Sequence, residues 1–219
     1  VIIKNLGLIG FHEAYILQER LAAGVAAGTE EETLLLLEHP PVFTIGSGGK
    51  AENILDRSIS AVRINRGGDV TFHGPGQLVG YPIIDLTRRG RDLHRYLRLL
   101  EELIIRIAAN FGVAAQRVSG KTGVWTGSLP SLAKLASIGV GVHRWVTMHG
   151  FALNVTTDLS QFSRINPCGL IACSVTSLLM ESAGAVSVDE TKEWVALLFE
   201  ILLNDLLPVD SGDIINTWI

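Results

Sequence analysis

Residues 66–82 read Arg66-Gly67-Gly68-Asp69-Val70-Thr71-Phe72-His73-Gly74-Pro75-Gly76-Gln77-Leu78-Val79-Gly80-Tyr81-Pro82, five glycines and two prolines set between apolar segments. A tight hairpin needs only one or two glycines, so a run this rich in backbone freedom suits a main chain that must approach a ligand closely. Arg66, Thr71, His73 and Gln77 are its polar groups able to orient a substrate. The same composition also suits a long surface connection. A dinucleotide-binding turn fits less well. Gly74-Pro75-Gly76 leads to Gly80 with the wrong final spacing, and Pro75 has no amide to offer a pyrophosphate.

The flanks are read from periodicity. On the N-terminal side, Ala14, Leu17, Leu21 and Ala22 mark one face of a helix over residues 11–27, stopped by Gly28. Thr33–Glu38 is a continuous leucine run, interrupted by Pro40-Pro41 and resumed over Val42–Ile45, which predicts two buried strands around a turn. Residues 61–65 and 78–84 read as strands bracketing the glycine run. Leu93, Leu97, Leu100, Ile104, Ile107 and Phe111 recur every three or four residues and define an amphipathic helix ending at Gly112. Short β-prone runs follow over 123–126, 135–142, 145–148 and 151–155. Two helices are expected near 174–180 and over 188–206, the second with Ser187 and Glu190 as a capping box. Runs of strands set between helices predict an α+β fold, a mixed β-sheet packed with helices, rather than a regular βαβ alternation.

With 219 residues and no Pro/Ser-rich linker, a single domain spanning 1–219 is expected. A hydrophobic content of 47% excludes a disordered chain, and a net charge of −4 offers no general affinity for nucleic acid. No apolar run reaches the length of a membrane span, and no secretory leader pattern is seen, so a cytoplasmic enzyme is expected. Cys168 and Cys173 lie five apart without a neighbouring His or Cys cluster, which does not supply the four ligands of a structural zinc site.

Residues 66–86 (RGGDVTFHGPGQLVGYPIIDL) resemble the signature of the lipoyl(octanoyl) transferases of lipoate biosynthesis. Residues 38–46 (EHPPVFTIG), 134–154 (KLASIGVGVHRWVTMHGFALN) and 165–178 (INPCGLIACSVTSL) resemble further blocks of that family, in the expected order across most of residues 34–180. The resemblance implies the architecture of the biotin and lipoate protein ligase catalytic domain. It also implies transfer of an octanoyl group from octanoyl-acyl carrier protein to a lysine of lipoyl domains. Those domains belong to the 2-oxoacid dehydrogenase complexes and the glycine cleavage H protein. No cofactor and no metal are implied, because the acyl group arrives activated as a thioester.

From the residues alone, either cysteine reads as a structural thiol and Lys134 as a solvated edge-strand lysine. The resemblance matches Cys168 to the family's acyl-carrying cysteine and Lys134 to its catalytic lysine. Chemistry agrees with such a pair, since an ammonium beside sulfur favours the reactive thiolate. By the same matching, Arg66, Gly67, Gly68, Asp69, Val70, Thr71, Phe72 and His73 form one wall of an acyl site. Ser137, Ile138 and Gly139, with Gly150, Phe151 and Ala152, form others. His73 is assigned to binding rather than to proton transfer. Gly141 replaces a more usual arginine, and Ser47-Gly48-Gly49 a more basic stretch.

Two rivals remain at this level. An ATP-dependent lipoate or biotin ligase would share the architecture and a lysine; Gly120-Lys121-Thr122 mimics the end of a phosphate loop, but Ala115 stands where its first glycine belongs. A non-catalytic binding module would tolerate loss of Cys168. Arg88, Arg89, Arg91, Arg95 and Arg98 gather positive charge, the last three at helical spacing, as a solvated face or a docking site for an acidic carrier protein.

Overall fold

The computed structural model describes residues 1–169 and 173–210, without the side chain of Cys168. Strand β1 (Ile2–Leu8) pairs parallel with β2 (Thr33–Glu38), and the helix α1 (Phe11–Ala27) connects them. From β2 the sheet continues antiparallel through β6 (Gln77–Ile83), β10 (Val146–Asn154), β9 (Ala133–His143), β8 (Lys121–Thr126) and β7 (Ala115–Val118). A short strand β11 (Ser174–Val175) adds parallel to the start of β9. A second sheet has β3 (Val42–Ile45) between β4 (Val62–Arg63) and β5 (Val70–His73). Helices α2 (Leu93–Asn110), α3 (Leu178–Glu181) and α4 (Val188–Leu206) complete the α+β architecture.

The leucine run of β2 is continuous because both of its faces are covered. Leu34 and Leu36 join the core beneath α2 and α4, whereas Leu35 and Leu37 join the core beneath α1. Neighbouring strands divide in the same way, with Phe151 and Leu153 on the first side and Met148 and Ala152 on the second. Gly80 exists for this packing: a Cβ there would stand 2.2 Å from the Phe151 ring. Helix α2 buries Leu99, Leu100, Leu103, Ile104 and Ile107 and starts on an Asp92 cap to the Arg95 amide; α4 starts on Ser187, which accepts from the Glu190 amide at 3.1 Å. A third core, from Phe43, Val70, Phe72, Phe162 and Ile165, holds the small sheet.

Several expectations change. The glycine run is not one loop, because Val70–His73 is a fully buried strand zipped to β3 and residues 77–83 form β6. The strand expected at 61–65 is only Val62–Arg63, and 145–148 with 151–155 fuse into one β10. Residues 174–175 are strand rather than helix, because they find hydrogen-bond partners along β9; the helix begins at Leu178, capped by Ser177. Strands β1 and β7 had no periodic signal in the sequence. Lys121 and Thr122 lie on β8 after a turn at Gly120, so no phosphate loop forms. The arginine face stays largely solvated, with Arg88, Arg91, Arg95 and Arg98 exposed and only Arg89 turned inward. Arg91 precedes α2; Arg89 is buried against Glu32 and the Leu207 carbonyl, Arg95 bonds the Leu206 carbonyl, and Arg98 pairs with Glu101.

Candidate active site

Where α1 leaves the sheet uncovered, a cleft opens with about 470 Å³ of empty space including its mouth. Small residues of β9 and β10 form its floor, Ser137 to Gly139 facing Gly150 to Ala152 in register. Thr71 and His73 of β5 face it from the side, with Tyr81 of β6 and Phe11 at the start of α1. Of the residues expected in the acyl site, Arg66, Gly68, Asp69, Thr71, His73, Ser137, Ile138, Gly139, Gly150, Phe151 and Ala152 line this one cleft. Val70 and Phe72 do not, because strand alternation turns them into the third core. Gly67 instead donates its amide to the Val140 carbonyl at 2.8 Å, joining the loop to β9. Phe11, Ile64, Tyr81 and His149 line the cleft without having been anticipated.

Arg66 builds the wall rather than reaching outward. Its guanidinium donates to the Thr44 carbonyl and hydroxyl, to the Asp69 carbonyl and to the Gly67 carbonyl at 2.8–3.1 Å, wrapping the loop around itself. Gly46 makes room for this knot, because a Cβ there would lie 2.3 Å from the Gly68 carbonyl oxygen. The buried charge has an electrostatic consequence for two histidines beside the cleft, His73 and His149. Burial, with His39 and Arg66 as like charges, pulls His73 down to about 3, and burial with Arg66 pulls His149 down to about 4. Burial also lowers His39, whose Nδ1–H donates to the Ile9 carbonyl while Nε2 accepts from the Tyr81 hydroxyl at 2.8 Å. All three are neutral imidazoles at pH 7. His149 sits at φ +58, with its amide donating to Gln18 and its Nε2 paired to Asn65.

Asp69 ties the cleft wall to the cysteine segment. Its Oδ2 accepts from Asn53 Nδ2 at 2.6 Å, and the Asn53 carbonyl accepts from the Asn166 amide at 2.7 Å, docking the turn Pro167–Gly169. Gly169, at φ +69, would place a Cβ 2.7 Å from Asp69 Oδ2, so only glycine permits this approach. Cys168 is the middle residue of that turn; its side chain lies outside the described residues. Cys173 is half-buried.

Lys134 is 3% exposed, which overturns its reading as a solvated edge residue. Simple alternation would put it on the same face as Ala136, under α2. The ladder slips here instead, with Val124 opposite Ala136 and Trp125 opposite Lys134, so Leu135 is an extra residue. Leu135 and Ala136 both enter the α2 core. The bulge therefore turns Lys134 onto the face shared by Ser137 and Gly139. Its ammonium lies 5.0 Å from the centroid of the Trp125 ring, and Gly123, at φ +111, leaves room for its stem. Lys134 itself is not among the residues lining the cleft. Among the described residues, no three His, Cys, Asp or Glu side chains gather as metal ligands, and no helix is long and apolar enough to cross a membrane.

With this geometry in place, comparisons with known proteins are specific. Residues 11–200 match the model of the lipoyl protein ligase A/B catalytic domain. An octanoyltransferase of Geotalea uraniireducens is 65% identical over 96% of this chain and 97% of its own. Among solved structures, the bi-partite lipoate protein ligase of Thermoplasma acidophilum superposes with a TM-score of 0.67 at 18% identity, covering 93% of this chain and 83% of that one. The biotin protein ligase of Aquifex aeolicus, in complex with biotin and ATP, superposes with a TM-score of 0.55 at 10% identity, over 93% and 71% of the two chains. At these identities the two structures speak to the fold alone.

Proposed function

As the chain belongs to the lipoyl protein ligase A/B catalytic domain family, among its octanoyltransferases, we propose that it moves an octanoyl group from octanoyl-acyl carrier protein to a lipoyl-domain lysine through a thioester on Cys168. Residues 1–219 then act as one catalytic domain, in the cytoplasm. The Cys168 thiolate attacks the thioester carbonyl; a carbon–sulfur bond forms to Cys168, the bond to the carrier's phosphopantetheine sulfur breaks, and the departing thiolate takes up a proton. The acceptor lysine amine then attacks the acyl-enzyme. A carbon–nitrogen bond forms, the amine gives up a proton, and the Cys168 thiolate is released. Lys134 is the group assigned to these proton movements.

The observation that carries this reading is the convergence of two unrelated devices: a bulge that turns a buried lysine onto the cleft face, and an Asp69 clasp that docks the cysteine turn on the cleft wall. The mostly apolar cleft between them suits an acyl chain. Incubation with octanoyl-acyl carrier protein alone, followed by intact-mass measurement, tests it. The protein gains one octanoyl group, which hydroxylamine removes, and Cys168→Ser does not transfer. A wild-type protein that acquires no adduct overturns the thioester, and a transfer that requires ATP points to a ligase.

A further inference from the structure

A hydrogen-bonded chain crosses the protein from Lys134 to His73. The Lys134 carbonyl accepts from the Thr176 amide at 2.9 Å. The Thr176 carbonyl accepts from Asn154 Nδ2 at 2.9 Å, Asn154 Oδ1 accepts from Gln77 Nε2 at 2.9 Å, and Gln77 Oε1 faces His73 Nδ1 at 2.7 Å. His73, Gln77, Asn154 and Thr176 are all more than nine-tenths buried.

The direction of every bond is forced from one end. The Thr176 carbonyl can only accept, so Asn154 must present its NH2 there and its oxygen to Gln77. Gln77 must then present its NH2, which also donates to the Phe72 carbonyl at 3.2 Å. Only the Gln77 oxygen is left for the imidazole, so His73 Nδ1 carries the hydrogen. The ring is neutral, and therefore Nε2 keeps a lone pair and no proton. Among the described residues no group donates to Nε2, and His73 lines the cleft. Two residues earlier on the same strand face, the buried Thr71 hydroxyl makes no hydrogen bond either. A stripe of one hydroxyl and one acceptor-only nitrogen is thus held ready for a polar group entering the cleft.

We propose that Gln77 and Asn154 are positioning residues that lock His73 as an acceptor, and that His73 Nε2 takes the hydrogen bond of the incoming lysine amine in the second half-reaction. This rests on the acyl-enzyme reading above. An acceptor-only nitrogen cannot serve the carbonyl oxygen of either thioester, which needs a donor, nor the attacking thiolate. It suits an amine, whose N–H must be held while its lone pair points at the thioester carbon. A ring that is neutral at pH 7 also does not repel the positive charge that develops on that nitrogen during attack. The chain further sets His73 in register with the strand that carries Lys134, the group assigned to remove the proton.

The test separates the half-reactions. Acylation by octanoyl-acyl carrier protein is followed by intact mass, and decay of isolated acyl-enzyme is followed after adding a lipoyl domain. In His73→Ala the second rate falls about 10- to 100-fold more than the first, the scale of a lost hydrogen bond in a buried site, and His73→Gln, which can return an acceptor oxygen near the Nε2 position, recovers part of it. Equal loss in both steps, or no loss in the second, overturns the proposal. Should His73→Ala fail to fold, Gln77→Glu decides. A carboxylate beside Nδ1 favours the imidazolium against burial and the opposing charge of Arg66, so the second rate falls relative to the first as pH drops from about 8 to about 6. Parallel pH profiles overturn the proposal. Failure of the wild type to acylate at all speaks against the thioester and is seen before any acceptor is added.

Discussion

The two faces of the large sheet are built for opposite ends. The face under α2 and α4 is filled by branched and aromatic side chains with nothing left open, from Leu34 and Leu36 through Phe151 to Phe199 and Leu203. On the other face α1 covers only part of the sheet; the remainder carries glycine, alanine and serine on β9 and β10, and the rings around the opening include Phe11, Tyr81 and two histidines with assigned hydrogen bonds. Stability resides mainly on the first face, and open space on the second. Lys134 belongs to the second only because a single extra residue, Leu135, interrupts alternation.

If that division holds, the largest effect comes from removing chemistry on the open face while leaving the filled face intact. Lys134→Ala should lower transfer by about 10²- to 10⁴-fold, the usual range for a lost acid–base group, with little change in melting temperature. Deleting Leu135, so that the bulge closes and alternation returns Lys134 toward α2, should abolish transfer to a similar degree although the lysine is still present. Steady-state assays with circular dichroism melts check both. A deletion variant that folds and keeps full activity would break the argument that the bulge aims Lys134.

The converse change strikes the filled face. Leu103→Ala, fully buried on α2, should cost about 2–5 kcal/mol of stability as a cavity opens, while transfer per folded molecule stays near wild type. Denaturant melts alongside active-site titration by octanoyl adduct would separate the two quantities. A large fall in activity per folded molecule would show that the two faces are coupled.

The filled face was also the legible one. Helices α1, α2 and α4 and the leucines of β2 carry apolar periodicity strong enough to place them within a residue or two. Strand β5 escaped notice because its four residues sit among glycines, and its state is decided by pairing to β3, some thirty positions away in sequence. Strand β1, with Asn5 and Gly7 in seven residues, has no alternation to read, and β11 is strand only because β9 offers it an edge. On the open face, the wall residues were reached through family resemblance rather than from physical pattern. Phe11, Ile64, Tyr81 and His149 come from four separate segments that only the fold assembles. Nothing in the local sequence signals the pairing of Gln77 with Asn154 or the Leu135 bulge, since both depend on register between strands.

The buried histidines make a smaller difference between the faces, visible in acid. His73 and His149 have folded values near 3 and 4 against an ordinary 6.5, so the unfolded chain binds their protons first as pH falls. Their contribution to stability is constant above about pH 6.5 and is lost progressively from there toward pH 4 for His149 and pH 3 for His73. His73→Gln should flatten this fall by about 1–2 kcal/mol at pH 5, with no change in slope at pH 7–8. Melts across the pH range measure it. A slope identical to wild type would mean that His73 is reached by protons in the folded state.

The smallest effect is expected at Cys173, which lies on neither face but just before β11 at the edge of β9. Its thiol is half-buried and makes a long contact of 3.6 Å with the Ser174 carbonyl, which a hydroxyl can replace at little cost. Its exposure leaves it open to alkylation, so inertness toward reagents is not what distinguishes it from Cys168. The distinction is placement: the Asp69–Asn53–Asn166 clasp holds the Pro167–Gly169 turn on the cleft wall, whereas Cys173 stands beside β11 at the start of β9. Cys173→Ser should therefore keep the octanoyl adduct and turn over within about twofold of wild type, a change no larger than a single weak contact is worth. Intact mass and steady-state rates on the same preparation check this. A loss beyond tenfold, with the adduct gone, would move the acyl site from Cys168 to Cys173 and undo the role given to the Asp69 clasp.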